Sequence, residues 1–351
     1  MLFRWIPYSI MIKVHPANQN GEILHLGKIM TLRWLIGIIV ALATMPLILE
    51  KNGIFQPSLR SRLFYFIVRW GYKPFTYVSL AKKKKRLEYF HHLVPLSITS
   101  RAIRVGEIPA EWVQPLWTSN EFVLLYLHGG GYTSGSPALH RDLAHRIASA
   151  SGMPALVIDY RLAPEHPFPA ALEDAVFAYR WLLARNYPPE RIVLAGDSAG
   201  GGLSAALLMY LRDAGEPLPA AAALLSPWTD LCLTGESIDR LENADPQLTR
   251  RGLQEMADAY RGKHAANEPL ISPLYGDLHG LPPLLILAGT REILLDDSVM
   301  FAERAGKAGV NVTLHIREDM GHVWPAFAML LPESKQAIQL IGNFFRRHTG
   351  L

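Results

Sequence analysis

Gly196-Asp197-Ser198-Ala199-Gly200 has the pattern G-x-S-x-G. An apolar run at 191–196 leads into it and an Ala/Leu-rich stretch at 199–214, stopped by Gly215, leads out. A strand that turns this sharply into a helix holds its serine in a strained backbone and lifts the hydroxyl above the C-terminal edge of a sheet. Side chains at 196 or 200 would collide with neighbouring elements, which accounts for both glycines. The chemistry such a serine offers is nucleophilic attack on an acyl carbon. A Gly-rich strand–helix turn without catalysis is the plain alternative, and the flanking elements favour the nucleophile.

His128-Gly129-Gly130-Gly131 follows a second apolar run, 122–127. Consecutive glycines cost conformational entropy, but they leave backbone N–H groups free of Cβ atoms and open to a ligand. Acyl transfer needs such donors where the carbonyl oxygen turns negative. The expected donors are the amides of Gly130 and Gly131, with that of Ala199 after the nucleophile. A phosphate-binding loop is disfavoured: no G-K-[ST] and no G-x-G-x-x-G with a ribose-binding acid is present. His128 is expected to be a structural hydrogen-bonding group and not a base.

A serine nucleophile on a strand–helix turn takes its acid and its histidine later in the chain, in that order. His322, in Met320-Gly321-His322-Val323-Trp324 after the run 312–317, is the expected base. His264, His279, His315 and His348 compete less well: His315 lies inside a strand, His348 near the terminus, and the other two precede the last strand pair. The run 284–289 is followed by Thr290-Arg291-Glu292, and further on by Asp296 and Asp297. Glu292 is the expected acid, which would orient the imidazole and stabilise its protonated form. Asp296 is the alternative, although it and Asp297 are better placed to cap the next helix.

These residues require a scaffold of alternating strands and helices. Strands are expected at 102–106, 112–115, 122–127, 155–159, 191–196, 221–226, 284–289 and 312–317. Helices are expected at 140–151, 170–185 and 199–214, with two more, separated by Pro332, at the end of the chain. The alternation predicts an α/β fold with a mostly parallel sheet flanked by helices on both faces. The polar stretch between Ser226 and Leu284, with helical periodicity at 248–260, is long for a connection and reads as a lid or cap.

Together, His128-Gly-Gly-Gly131, Asp159-Tyr160-Arg161-Leu162-Ala163-Pro164-Glu165, Gly196-Asp-Ser-Ala-Gly-Gly201 and Gly321-His322 resemble the microbial type of the hormone-sensitive-lipase family of esterases and lipases. The resemblance spans roughly residues 100–348. It implies an α/β-hydrolase core, a helical cap built from the N-terminal region and the long insertion, and hydrolysis of short- to medium-chain acyl esters without cofactor or metal. By position it implies Ser198 as nucleophile, His322 as base, Gly130, Gly131 and Ala199 as the oxyanion hole, and His128, Asp197 and Glu165 as supporting groups. One departure stands out. The family commonly has D-P-L-x-D where this chain has Glu292-Ile293-Leu294-Leu295-Asp296, so a glutamate occupies the usual aspartate position.

The chain has 351 residues, 50% hydrophobic and 19% charged, with a net charge of +4. That is a globular composition, long enough for one large α/β domain with additions. The division expected is 1–95, a helical cap or membrane-associated segment, and 96–351, the catalytic domain with a cap insertion at about 230–275. Residues 34–49 are apolar but slightly short for a spanning helix; they read as a lid helix, an anchor or a signal-peptide core around Ala41-Leu42-Ala43. Residues 59–72 read as an amphipathic helix for core packing or a membrane surface. The basic run Lys82–Arg86 fits a solvated face or a membrane contact, not nucleic acid, for which no binding signature is present. A lone cysteine, Cys232, excludes an intrachain disulfide. The expected partner is a small-molecule ester; a homodimer and the compartment stay open. Rival functions on the same fold are a lactone or other ester-like hydrolase and a non-catalytic small-molecule receptor.

Overall fold

The structure is a computed structural model that describes Phe64 and residues 99–351. The three readings of 34–49, the basic run and the proposed segment 1–95 lie outside the described residues, apart from Phe64. Phe64 is helical and buried, its ring edge-on to that of Phe327 at 5.0 Å. Among the described residues no helix is long and apolar enough to cross a membrane.

Eight strands form one sheet: β1 (Ser100–Val105), β2 (Ile108–Val113), β3 (Val123–Leu127), β4 (Ala155–Ile158), β5 (Ile192–Asp197), β6 (Ala221–Leu225), β7 (Leu284–Gly289) and β8 (Val312–Arg317). Their order is β1-β2-β4-β3-β5-β6-β7-β8. β2 pairs antiparallel with both β1 and β4, and all other pairs are parallel. Strands β3 to β7 are buried along their whole length, which is why they read as continuous apolar runs.

Between residues 99 and 351 the helices are α1 (Pro137–Ser151), α2 (Ala170–Ala184), α3 (Ala199–Asp213), α4 (Ser237–Arg240), α5 (Arg250–Arg261), α6 (Leu295–Lys307) and α7 (Pro332–Thr349). Alternate strand residues feed two cores. Leu125, Leu194, Leu224 and Ile286 pack with α2, α3 and Phe301 of α6. Leu124, Tyr126, Val193 and Leu285 pack with α1 and with Ile341 and Phe345 of α7 on the other face.

Three local expectations change. The first two strands form a hairpin turning at Gly106, whose φ is +60°, so β2 begins at Ile108 and not near Trp112. α1 begins at Pro137, because Ser136 accepts from Leu139 N and proline suits a first turn. For the same reason Pro332 starts α7; the segment before it is only a 3₁₀ turn, Trp324–Phe327.

Because the central strands run parallel, the loops after β3, β5, β7 and β8 leave from one edge of the sheet, and every sequence-predicted reactive group sits in one of them. The long connection after β6 carries α4, α5 and the 3₁₀ turn Pro273–Tyr275.

Candidate active site

Ser198 lies between β5 and α3 with φ 54° and ψ −122°, a conformation that costs of order 1–3 kcal/mol and must be held by its surroundings. It is held at both ends. Its N–H donates to Leu225 O at 2.8 Å, and its carbonyl accepts from the N–H groups of Gly201, Gly202 and Trp228 at 3.0, 3.1 and 3.0 Å. A Cβ at Gly200 would run into the carbonyl oxygens of Leu127 and His128, so the turn can approach β3 only as glycine.

His322 faces the serine from the loop after β8. Ser198 Oγ–H donates to His322 Nε2 at 2.9 Å, and His322 Nδ1–H donates to Glu292 Oε2 at 2.7 Å. All three side chains are buried. The other carboxylate oxygen, Glu292 Oε1, accepts from Gly289 N at 2.5 Å and from Ser226 Oγ at 2.9 Å. Burial alone would lower the imidazole's pKa. The hydrogen bond and charge of Glu292, with the charges of Asp245 and Asp197, outweigh burial and hold it above the ordinary value. Such an imidazole can take the serine proton and stay charged beside its carboxylate.

The His128–Gly131 loop comes alongside the elbow. Gly130 and Gly131 have φ of +120° and +63°. Among the described residues, no acceptor is found for the N–H groups of Gly130, Gly131 and Ala199, as an oxyanion site would need. Asp197 fixes the loop: its Oδ1 accepts from Gly129 N at 3.0 Å and from Tyr126 Oη at 2.7 Å, and its Oδ2 lies 3.6 Å from His140 Nε2. Burial raises the Asp197 pKa, but His140, Tyr126 and His128 pull it below the usual value. His128 is fully buried. Its Nδ1–H donates to Gly129 O at 2.8 Å, and burial, reinforced by the charge of His140, lowers its pKa to about 3, so the ring is neutral.

In the Asp159–Glu165 segment, Tyr160 and Ala163 hold this loop. Tyr160 Oη donates to His128 O at 2.6 Å, and Ala163 N donates to Tyr132 O at 2.8 Å. Glu165 is exposed, and none of the triad's hydrogen bonds goes to it.

Asp296 does not face His322. Its Oδ2 accepts from Ser237 N at 2.7 Å, while Asp297 Oδ2 accepts from Thr229 N and Asp230 N, both at 2.8 Å. Neither aspartate caps α6, whose N-cap residue Leu294 has no side-chain bond; both tie the β6–β7 connection to α6 instead. Of the other histidines, His264 and His279 pair with Glu268 and Asp277 at the surface.

Ser226 escaped the sequence reading. Its φ is +46°, and its hydroxyl donates to Glu292 and accepts from Val323 N at 3.0 Å, so one side chain joins the acid's loop to the base's loop. Its only sequence signal is a polar residue ending a buried strand. α5 covers the site from the long connection: a Cβ on Gly131 would strike Met256 Sδ. Among the described residues no group of three or more His, Cys, Asp or Glu is placed to hold a metal ion.

The family described as alpha/beta hydrolase fold matches residues 124–326. An acetyl-hydrolase of Streptomyces hygroscopicus is 48% identical over 71% of this chain and 83% of its own length. An esterase of Acinetobacter venetianus is 36% identical over 71% and 82%. Among solved structures, an esterase described as from the bacterial hormone-sensitive lipase family superposes with a TM-score of 0.79 at 45% identity, over 84% of this chain and 99% of that one. An esterase/lipase from an uncultured bacterium gives 0.79 at 43% identity, over 83% and 99%.

Proposed function

The chain belongs to the α/β-hydrolase-fold esterases of the bacterial hormone-sensitive lipase family and is a carboxylic ester hydrolase; from that premise we propose that it works through a serine nucleophile and an acyl-enzyme, on short- to medium-chain acyl esters. The observation that carries this reading is the hydrogen-bonded chain Glu292–His322–Ser198, with links of 2.7 and 2.9 Å.

The steps follow from the atoms. An ester carbonyl binds with its oxygen toward the N–H groups of Gly130, Gly131 and Ala199. His322 Nε2 takes the Ser198 proton as Oγ attacks the carbonyl carbon, and the negative charge that develops on oxygen meets those three donors. Glu292 steadies the imidazolium through Nδ1. The tetrahedral adduct collapses, the C–O bond to the alcohol breaks, and His322 returns its proton to the leaving oxygen. Water then gives a proton to His322 and attacks the acyl carbon; the bond from that carbon to Ser198 Oγ breaks, His322 returns the proton to Oγ, and the acid leaves. No step calls for a metal or a cofactor.

The short-acyl preference is supported by two observations. α5 lies close over the oxyanion loop, with Met256 against Gly131, and the Streptomyces relative carries the name acetyl-hydrolase. Turnover of a p-nitrophenyl ester series by the unchanged chain and by Ser198→Ala tests the reading. Turnover greatest on short acyl groups, and only with Ser198 present, is expected. Equal turnover by Ser198→Ala overturns the mechanism, and a preference for long acyl groups overturns the substrate class.

A further inference from the structure

The connection after β6 does more than cover the site; it reaches behind the triad. Asp245 is buried, and both of its oxygens are used. Oδ1 accepts from Gln247 N at 2.7 Å and from Leu248 N at 2.9 Å, closing a turn within the connection. Oδ2 accepts from Ile293 N at 2.9 Å, the residue after Glu292. Gln247 Nε2 then donates to the carbonyl oxygen of His322 itself, at 2.8 Å. A single short strap therefore holds the main chain at the acid and at the base.

A turn alone does not require this arrangement. Closing it uses one oxygen, which asparagine would supply without burying a charge. The second oxygen is spent on Ile293, and the charge acts on His322. Burial pushes the Asp245 carboxyl up to about 6, against the pull of His322 and of the three backbone N–H groups. The charges acting on His322 are those of Glu292, Asp245 and Asp197, and Asp197 in turn faces His140, Tyr126 and His128.

We propose that Asp245 and Gln247 are positioning residues for the reaction: Asp245 sets Glu292 through Ile293 N, Gln247 sets His322 through its carbonyl, and alignment of the triad therefore depends on the seating of the connection. This rests on the triad reading above. The strap touches neither substrate nor reacting atoms; it acts through the two loops it holds.

The test compares the full chain with Asp245→Asn and Gln247→Leu. Asp245→Asn keeps an oxygen for the turn but sets an amide N–H against Ile293 N–H and removes the charge. Turnover of p-nitrophenyl acetate is expressed per chain labelled at Ser198 by diethyl p-nitrophenyl phosphate, alongside pH profiles and thermal melts. Both variants are expected to lose kcat roughly ten- to hundredfold, with KM within about twofold. In Asp245→Asn alone, the acid limb of kcat/KM should move to lower pH, because a charge favouring the imidazolium is gone. Unchanged kcat per labelled chain and an unmoved limb, with only a lower Tm, would overturn the proposal. If Asp245→Asn does not fold, Gln247→Leu decides: reduced kcat sustains the proposal and unchanged kcat refutes it. The triad reading fails by a different sign, a wild-type chain that takes no label at Ser198 or a Ser198→Ala chain that still turns over.

Discussion

Glu292 carries one methylene more than an aspartate would, and the site uses the extra reach. The carboxylate is held at both oxygens, by Gly289 N and Ser226 Oγ on one and by His322 on the other. Shortening it by Glu292→Asp should therefore misplace the imidazole and cost on the order of 10²-fold in kcat. Glu292→Gln removes the charge and should cost roughly 10³- to 10⁴-fold. Asp296→Ala should leave kcat near that of the unchanged chain and cost about 1 kcal/mol of stability by losing its bond to Ser237 N. Steady-state kinetics and denaturant melts of the three variants check this ranking. The pH dependence has a definite sign. Only neutral His322 accepts the serine proton, and its pKa is raised, so kcat/KM should fall as pH drops through a value above the ordinary 6.5. Glu292→Gln should move that limb down. The candidate nucleophile and base were legible because G-x-S-x-G and the histidine after the last strand are local patterns. The acid stayed open between Glu292 and Asp296 because a few residues of loop separate them. The links that Ser226, Asp245 and Gln247 make to the loops of Glu292 and His322 were not legible, since those partners lie 48 to 97 residues away in the chain.

At the scale of elements, the oxyanion loop is as much a built part as the elbow. Asp197 holds it from β5, Tyr160 and Ala163 hold it from the segment after β4, and Ser134 Oγ donates to Gly130 O at 2.9 Å. Tyr160→Phe removes one of these bonds, leaves the His128 carbonyl without that donor, and should lower stability by about 1 kcal/mol. It should lower kcat more than it raises KM, because the three free amides matter most in the transition state. Melting curves and Michaelis–Menten constants for this variant test both statements. The fully buried strands were plain in the sequence as short apolar runs. β1 and β2 were harder, because the edge strand β1 exposes Arg101 and Arg104 and Pro109 interrupts the pattern of β2. The start of α1 was marked by Ser136-Pro137, a capping signal stronger than the periodicity that follows it.

Among the described residues, two cores separated by the sheet carry stability, while the candidate catalytic groups lie along one edge. Phe345 of α7 is fully buried in the core of one face and makes none of the triad's hydrogen bonds. Phe345→Ala should cost about 3–5 kcal/mol in denaturant unfolding, yet leave kcat per labelled chain unchanged. The fold class was legible because β-α alternation constrains topology so tightly. The role of the long connection was only half legible. Its length marked it as functional, but Met256 against Gly131 and the strap on Glu292 and His322 are tertiary facts with no periodic signal.

The central claim is that Ser198 carries the acyl group. The most direct measurement is peptide mass spectrometry of the chain inactivated by diethyl p-nitrophenyl phosphate, run beside Ser198→Ala. One phosphoryl group per chain is expected, on the peptide containing Ser198, rising in step with loss of esterase turnover and absent from the variant. Inactivation with the label elsewhere, or turnover that survives full labelling of Ser198, would contradict it.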